Sequence, residues 1–213
     1  MTNDIRINVN ELHPLLYYYL KKIIKYANKE GIYIIVTEGL RTKERQDQLY
    51  AQGRFGNPGI VVTNARGSDY ASQHQWGIAF DICIANPGHT WDVSYFRKVA
   101  EIATKRCKHI GWGGYWTKEV DGLIDNPHFY LTFWGKNPSP LKEKYGTPYK
   151  FFKTFKGTIK ATTKHVPLWN YKKDKKLASI PNGSSVYVSR IGRKWAHIRY
   201  KDTYGYVLKK YVK

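Results

Sequence analysis

"SQHQWGIAFDIC" (residues 72–83) sets a histidine and an aspartate seven positions apart, with Trp76-Gly77 between them. On one continuous helix His74 and Asp81 would stand ~10.5 Å apart along the axis. Fully extended they would be more than ~20 Å apart. Neither geometry lets both side chains reach one ion, so a shared site requires a turn, and Gly77 is where a turn costs least. "GIAFDICI" (77–84) then reads as a strand. Alternation places Ile78, Phe80 and Ile82 on one face and Ala79, Asp81 and Cys83 on the other. The first face makes core. The second leaves room around one carboxylate. From this stretch alone, a hydrogen-bonded polar pair and a metal site both stand.

Working outward, "NELHPLLYYYLKKIIKYANKEG" carries Leu12, Leu15, Leu16, Tyr19, Leu20, Ile23, Ile24 and Ala27 at helical spacing. Asn8 or Asn10 can cap that helix and Gly31 ends it. "IYIIVTE" (32–38) is a β-branched strand, and "TKERQDQLYAQG" (42–53) a polar helix with a glycine stop. A Gly/Asn-rich loop covers 54–71. "DVSYFRKVAEIATKRCKHIG" (92–111) predicts a helix and "HFYLTFW" (128–134) a strand. Helices and strands alternate without βαβ spacing, so the expected class is α+β.

Composition shifts near residue 135. "GKNPSPLKEKYGTPYKFFKTFKGT" has three prolines and no clear period, and predicts a linker over 136–156. From Gly157 short strands and turns follow, the pattern of a small all-β barrel over 157–213. The net charge of +20 is unevenly spread: residues 1–150 hold 20 basic and 14 acidic side chains, residues 151–213 hold 16 and 2. A tail at +14 favours polyanions: nucleic acid, anionic lipid or an anionic wall polymer. Cys83 and Cys107 read as free thiols, since two cysteines at this length make no disulfide framework. No apolar run approaches the ~20 residues of a membrane span. The first residues lack a signal-peptide pattern, so synthesis in the cytoplasm is expected.

A third ligand would decide the metal question. His128, in "DNPHF" (125–129), follows a proline and opens a strand; two His and one carboxylate suit Zn²⁺ with one open position. Asp125, three residues earlier, is a candidate general base, or simply part of an Asp-Asn-Pro turn. Zinc would bring a water's pKa to ~7, and a carboxylate beside it would take that proton and pass it to the leaving amine. Arg41, just after a strand, can bind a substrate carboxylate or an oxyanion, or cap the next helix. His13, His89, His109, His165 and His197 lack such context.

"GLRTKERQDQLYAQGR", "SQHQWGIAFD" and "DNPHF", in that order, resemble the D-Ala-D-Ala carboxypeptidase-like zinc peptidases. That family includes vancomycin-resistance peptidases and phage L-alanoyl-D-glutamate endopeptidases. The resemblance covers about residues 10–135, read as a catalytic domain over 1–135. It implies that His74, Asp81 and His128 ligate one zinc ion and that Asp125 is the base. It also implies that Arg41 contacts substrate or intermediate, and that Ser72 lines the site. The implied fold is the antiparallel-sheet domain these peptidases share with the hedgehog signalling domain. Asp125 stands where the dipeptidases usually have Glu. That, with the 54–71 loop, points to the phage endolysin branch, cutting between L-Ala and D-Glu of peptidoglycan after release from the cytoplasm. A D-Ala-D-Ala carboxypeptidase is the alternative, and a basic nucleic-acid binder the third reading. Residues 157–213 resemble bacterial SH3-like wall-binding modules, with Trp169, Tyr187, Trp195 and Tyr204 as candidate wall contacts. A monomer is expected.

Overall fold

The computed structural model describes residues 11–118, 122–201 and 203–213. The chain forms two compact units, one of Met1–Leu12 with Tyr19–Pro148, the other of His13–Tyr18 with Tyr149–Lys213.

Helix α1 (Pro14–Lys29), of which residues up to Tyr18 fall in the second unit, leads to strand β1 (Ile34–Glu38) and helix α2 (Lys43–Ala51) of the first. The caps proposed for α1, Asn8 and Asn10, lie outside the described residues. Gly31, at φ +72°, takes the chain out of that helix. Thr42 caps α2, its hydroxyl accepting from the Arg45 N–H at 3.1 Å. A 3-10 turn (Gln73–Trp76) then feeds β2 (Ala79–Ile84) through Gly77, which sits in the left-handed region at φ +61°. The turn falls where the His74–Asp81 geometry requires one.

Helix α3 (Val93–Arg106), capped by Asp92, leads into β3 (Ile110–Trp112) and β4 (His128–Leu131). The sequence predicts helix as far as residue 111, but the chain leaves α3 at Cys107 and "IGW" forms an extra strand. The four strands form one antiparallel sheet in the order β1-β2-β4-β3. Ile78, Phe80 and Ile82 are fully buried, as is Ala79 on the opposite face, while Asp81 and Cys83 are half-buried. Phe80 stacks on its cross-strand partner Phe129 at 5.7 Å.

The segment 136–156, expected as a linker, contains the boundary between the two units after Pro148 and holds helices α4 (Ser139–Tyr145) and α5 (Pro148–Lys153), with Leu141, Phe151 and Phe155 buried. Helices this short show too few turns for a period to be visible.

The second unit carries strands β5 (Lys156–Thr158), β6 (His165–Trp169), β7 (Lys176–Pro181), β8 (Ser185–Ile191), β9 (Trp195–Tyr200) and β10 (Thr203–Leu208). They pair antiparallel in the order β5-β8-β9-β10-β6-β7 around a core that includes Ile159, Val166, Leu168, Ile180 and Ile198. The expected closed barrel is not found: among the described residues no strand pairing joins β5 to β7. In–out alternation is the same whether a sheet closes or stays open, so the sequence pattern could not decide this. Cys83 and Cys107 are both free, and burial pushes the Cys107 thiol up to about 11.

Candidate metal centre

Strand register builds the centre. Asp81 lies directly opposite His128 across β2 and β4, and opposite Glu38 across β1 and β2. Three polar residues thus form a row across three neighbouring strands. A register irregularity between Val36 and Glu38 lets the end of β1 present Glu38 in that row. His74 arrives from the 3-10 turn, whose backbone is tied to the loop before α2 by Arg41 N–H donating to His74 O at 3.2 Å.

The result is a triangle. His74 Nε2 lies 3.2 Å from Asp81 Oδ1, His128 Nδ1 lies 3.0 Å from the same oxygen, and the two ring nitrogens are 3.2 Å apart. Tetrahedral zinc with bonds of ~2.0–2.1 Å holds its ligand atoms about 3.3 Å apart. Among the described residues this is the one group of three His, Cys, Asp or Glu side chains close enough to hold an ion.

The far side of each ring fixes the chemistry of the near side. His74 Nδ1 meets the Gly39 carbonyl at 2.9 Å, so it is the N–H and Nε2 carries the lone pair. His128 Nε2 meets Gln73 Oε1 at 2.8 Å, so Nδ1 carries the lone pair. Gln73 is oriented by its own amide donating to Gly135 O at 3.2 Å. Three acceptor atoms therefore face one another with no hydrogen of their own between them. A proton could relieve one pair; an ion at the centre satisfies all three. The donor set fits zinc, and carbonyl or amide partners behind ligating imidazoles are the usual second shell of such sites. Burial works to raise the Asp81 carboxyl, but with a proton on the imidazoles facing it His74 and His128 outweigh that and hold it well below the usual carboxylate range.

Around the triangle lies a cleft of about 690 Å³, lined by Arg41, Ser72, His74, Asp81, Asp125 and His128 among others. Burial, then the neighbouring Asp81 carboxylate, push the Asp125 carboxyl up. That direction suits a group that must accept and release a proton near neutral pH. The backbone of the Asp125 loop is clamped. Asp125 N–H donates to Gly113 O at 3.1 Å, and the Trp112 indole donates to Asn126 O at 2.6 Å.

Arg41 is 9% exposed in its side chain and turned inward. Its Nη2 lies 3.5 Å from Asp81 Oδ2 and 3.6 Å from Glu38 Oε2, and its Nη1 donates to Gln46 Oε1 at 2.7 Å. It braces the carboxylate that faces the two histidines. Gln46, fully buried, also donates to Ala65 O at 2.8 Å and so ties the 54–71 loop to Arg41. Ser72 is buried at the start of the 3-10 turn and lines the cleft.

Gln73, Gln46, Glu38, Trp112 and Gly113 were not singled out from sequence. The available hints were Gln73 beside His74 and the glycine-tryptophan run "GWGG" (111–114). Of the candidate wall contacts in the second unit, Tyr187 is exposed with Arg199 over its ring at 4.5 Å, and Trp169 and Trp195 are half-buried. Tyr204, half-buried, packs against Tyr17, Tyr18 and His197 and donates its hydroxyl to Pro14 O at 3.1 Å.

The profile of the VanY family, described as D-alanyl-D-alanine carboxypeptidase, matches residues 9–130. The peptidoglycan L-alanyl-D-glutamate endopeptidase CwlK of Bacillus subtilis (strain 168) is 34% identical over 135 residues, covering 57% of this chain and 74% of that protein. The L-alanyl-D-glutamate peptidase of Listeria phage A118 is 28% identical over 131 residues, covering 60% of this chain and 41% of that protein. Among solved structures, the Serratia marcescens L-Ala D-Glu endopeptidase ChiX aligns with a TM-score of 0.46 at 26% identity, over 59% of this chain and 84% of that one.

Proposed function

The chain belongs to the VanY D-alanyl-D-alanine carboxypeptidase family, and we propose that it is a zinc-dependent peptidoglycan endopeptidase hydrolysing the L-Ala–D-Glu bond of the stem peptide. The observation that carries the metal chemistry is the convergence of three acceptor atoms from His74, Asp81 and His128, each backed by its own partner. The choice of bond rests on the relatives named for it.

In this reading His74, Asp81 and His128 would hold the ion, which when bound would lower the pKa of water toward ~7 and polarise the scissile carbonyl. Asp125, facing the same cleft, removes the proton from the attacking water and delivers it to the amine of D-Glu as the C–N bond breaks. Arg41, which lines the cleft, contacts the substrate or the oxyanion of the intermediate and with Gln73 keeps Asp81 and His128 in place, and Ser72 lines the path of the peptide. The C-terminal unit is read as an SH3-like wall-binding module. Its support is the +14 charge of residues 151–213, with Tyr187, Trp169 and Trp195 on the sheet as candidate contacts to an anionic wall polymer. The protein then works as a phage-type endolysin, reaching the wall after release from the cytoplasm. No described helix is long and apolar enough to cross a membrane.

The test is mass spectrometry of purified walls digested by the native protein, by the chelator-treated protein and by Asp125→Ala. A new N-terminal D-Glu, lost on chelation and restored by zinc, is expected. Asp125→Ala should keep one zinc per chain and lose about 10²–10⁴ in rate. Released D-Ala in place of N-terminal D-Glu would assign the carboxypeptidase alternative. Full lysis by Asp125→Ala would remove Asp125 from the mechanism.

A further inference from the structure

The cleft of the candidate centre has an aromatic residue that the hydrolysis itself does not use. Among its described lining residues the aromatic side chains are Trp91 and Trp116. Trp116 is committed: its indole N–H donates to Tyr130 Oη at 3.2 Å and its ring lies 5.1 Å from the His128 ring. Trp91 is 64% exposed. Single exposed apolar side chains are ordinary on a protein surface. What sets Trp91 apart is a place on the catalytic cleft together with a rigid mount. The turn that carries it is closed by Ile84 N–H donating to Thr90 O at 3.1 Å and Asp92 N–H to His89 O at 3.0 Å. Asp92 next to it caps α3, accepting from Ser94 N–H at 2.8 Å, and pairs with His89 Nδ1 at 2.9 Å. The indole itself lies against buried Phe96, with centroids 6.4 Å apart and planes 29° off parallel.

The substrate chemistry says what such a platform is for. This step rests on the endopeptidase reading above. In peptidoglycan the L-Ala amine is acylated by the lactyl group of a muramic acid residue. A cut on the carbonyl side of L-Ala therefore leaves a single amino acid between the reacting carbon and the sugar. One residue spans at most ~3.6 Å, so the pyranose ring lies within about 10 Å of the reacting carbonyl, inside or at the lip of the cleft. A pyranose presents a face of C–H groups that packs flat on an indole, while its hydroxyls stay in water. An amphipathic, immobilised, solvent-facing aromatic matches that demand.

We propose that Trp91 is the platform for the N-acetylmuramic acid ring, and that the enzyme thereby prefers stem peptides still attached to glycan. Trp91 is a binding residue in this account, with no part in proton transfer.

The test compares two substrates of identical peptide sequence, one carrying N-acetylmuramic acid on L-Ala and one with a free L-Ala amine. Each is assayed with the native protein, Trp91→Ala and Trp91→Phe. The native protein should favour the sugar-bearing substrate. Trp91→Ala should raise KM for that substrate about tenfold and leave KM for the free peptide within about twofold, with kcat kept on both. Trp91→Phe, which retains a ring, should recover most of the difference. Equal losses on both substrates, or none on either, would overturn the role of Trp91 while the native cut between L-Ala and D-Glu upholds the endopeptidase reading. Absence of that cut by the native protein would sink the reading and this inference together.

Discussion

Replacing Gly113 by alanine tests whether the loop carrying the proposed base is held by close backbone packing. A β-carbon at position 113 would sit 2.5 Å from the Asp125 carbonyl oxygen and 3.1 Å from both Asp125 Cβ and His128 Cβ. To reach a tolerable 3.0–3.4 Å, the loop must withdraw by about 0.5–0.9 Å. It cannot swing freely, because Asp125 N–H is bonded to Gly113 O and the Trp112 indole holds Asn126 O. The same methyl group crowds one of the two histidines. A displacement near 1 Å at reacting groups costs on the order of 10²-fold in rate, so Gly113→Ala should lower kcat about 10–100-fold. Overpacking should also cost about 1–3 kcal/mol of stability. The assay is muropeptide cleavage followed by chromatography and mass spectrometry, with zinc content and thermal midpoint measured on the same sample. A folded, zinc-loaded Gly113→Ala with native kcat would refute the argument that this contact positions Asp125.

Gln73→Leu removes the acceptor for His128 Nε2–H and lets the ring turn or change tautomer; zinc affinity should fall about 10–100-fold, read by competition with a chromogenic chelator. Unchanged affinity would show that the ring is held by other contacts. His13 gives a pH dependence in the second unit. Burial holds its imidazole at about 3, against 6.5 for the free side chain, with the ring edge-on to Phe155 at 4.4 Å. The unfolded chain therefore takes up the proton first. His13's contribution to stability is complete above pH 6.5 and is lost as pH falls from 6.5 toward 3, by about 1.4 kcal/mol per pH unit. Urea unfolding at pH 7 and pH 5 should differ by about 2 kcal/mol from this group, and His13→Phe should flatten that slope. An equal slope in the variant would assign the acid sensitivity elsewhere.

The candidate centre was legible where local chemistry writes it into the chain. His74 and Asp81 could share an ion only through a turn, and Gly77 supplies it with a left-handed backbone. His128 stood out as a further metal-ligating side chain opening a strand just after Pro127, and Asp125 as a carboxylate three residues before it. The supporting residues were not legible. Gln73 is an ordinary polar side chain until His128, 55 positions on, gives it a partner, and Gln46 and Glu38 meet Arg41 close by in sequence but matter only because the fold turns that arginine onto Asp81. Gly113 matters only because another loop passes within contact distance of its α-carbon.

The same division holds for the architecture. Apolar periodicity, glycine stops and the alternation in "GIAFDICI" determined the main elements of the first unit, since these depend on residues within a turn or two of each other. Periodicity was silent on the two short helices in 136–156, and alternation could not tell an open six-stranded sheet from a closed barrel. The pairing of Asp81 with His128 on one side and Glu38 on the other is a matter of strand register. Register is set by how whole faces of the sheet find the core, and a slip of one residue would turn Asp81 away from both histidines. The sequence by itself determined which residues could hold a metal; the tertiary structure decided that three of them meet at 3.0–3.2 Å with their lone pairs converging.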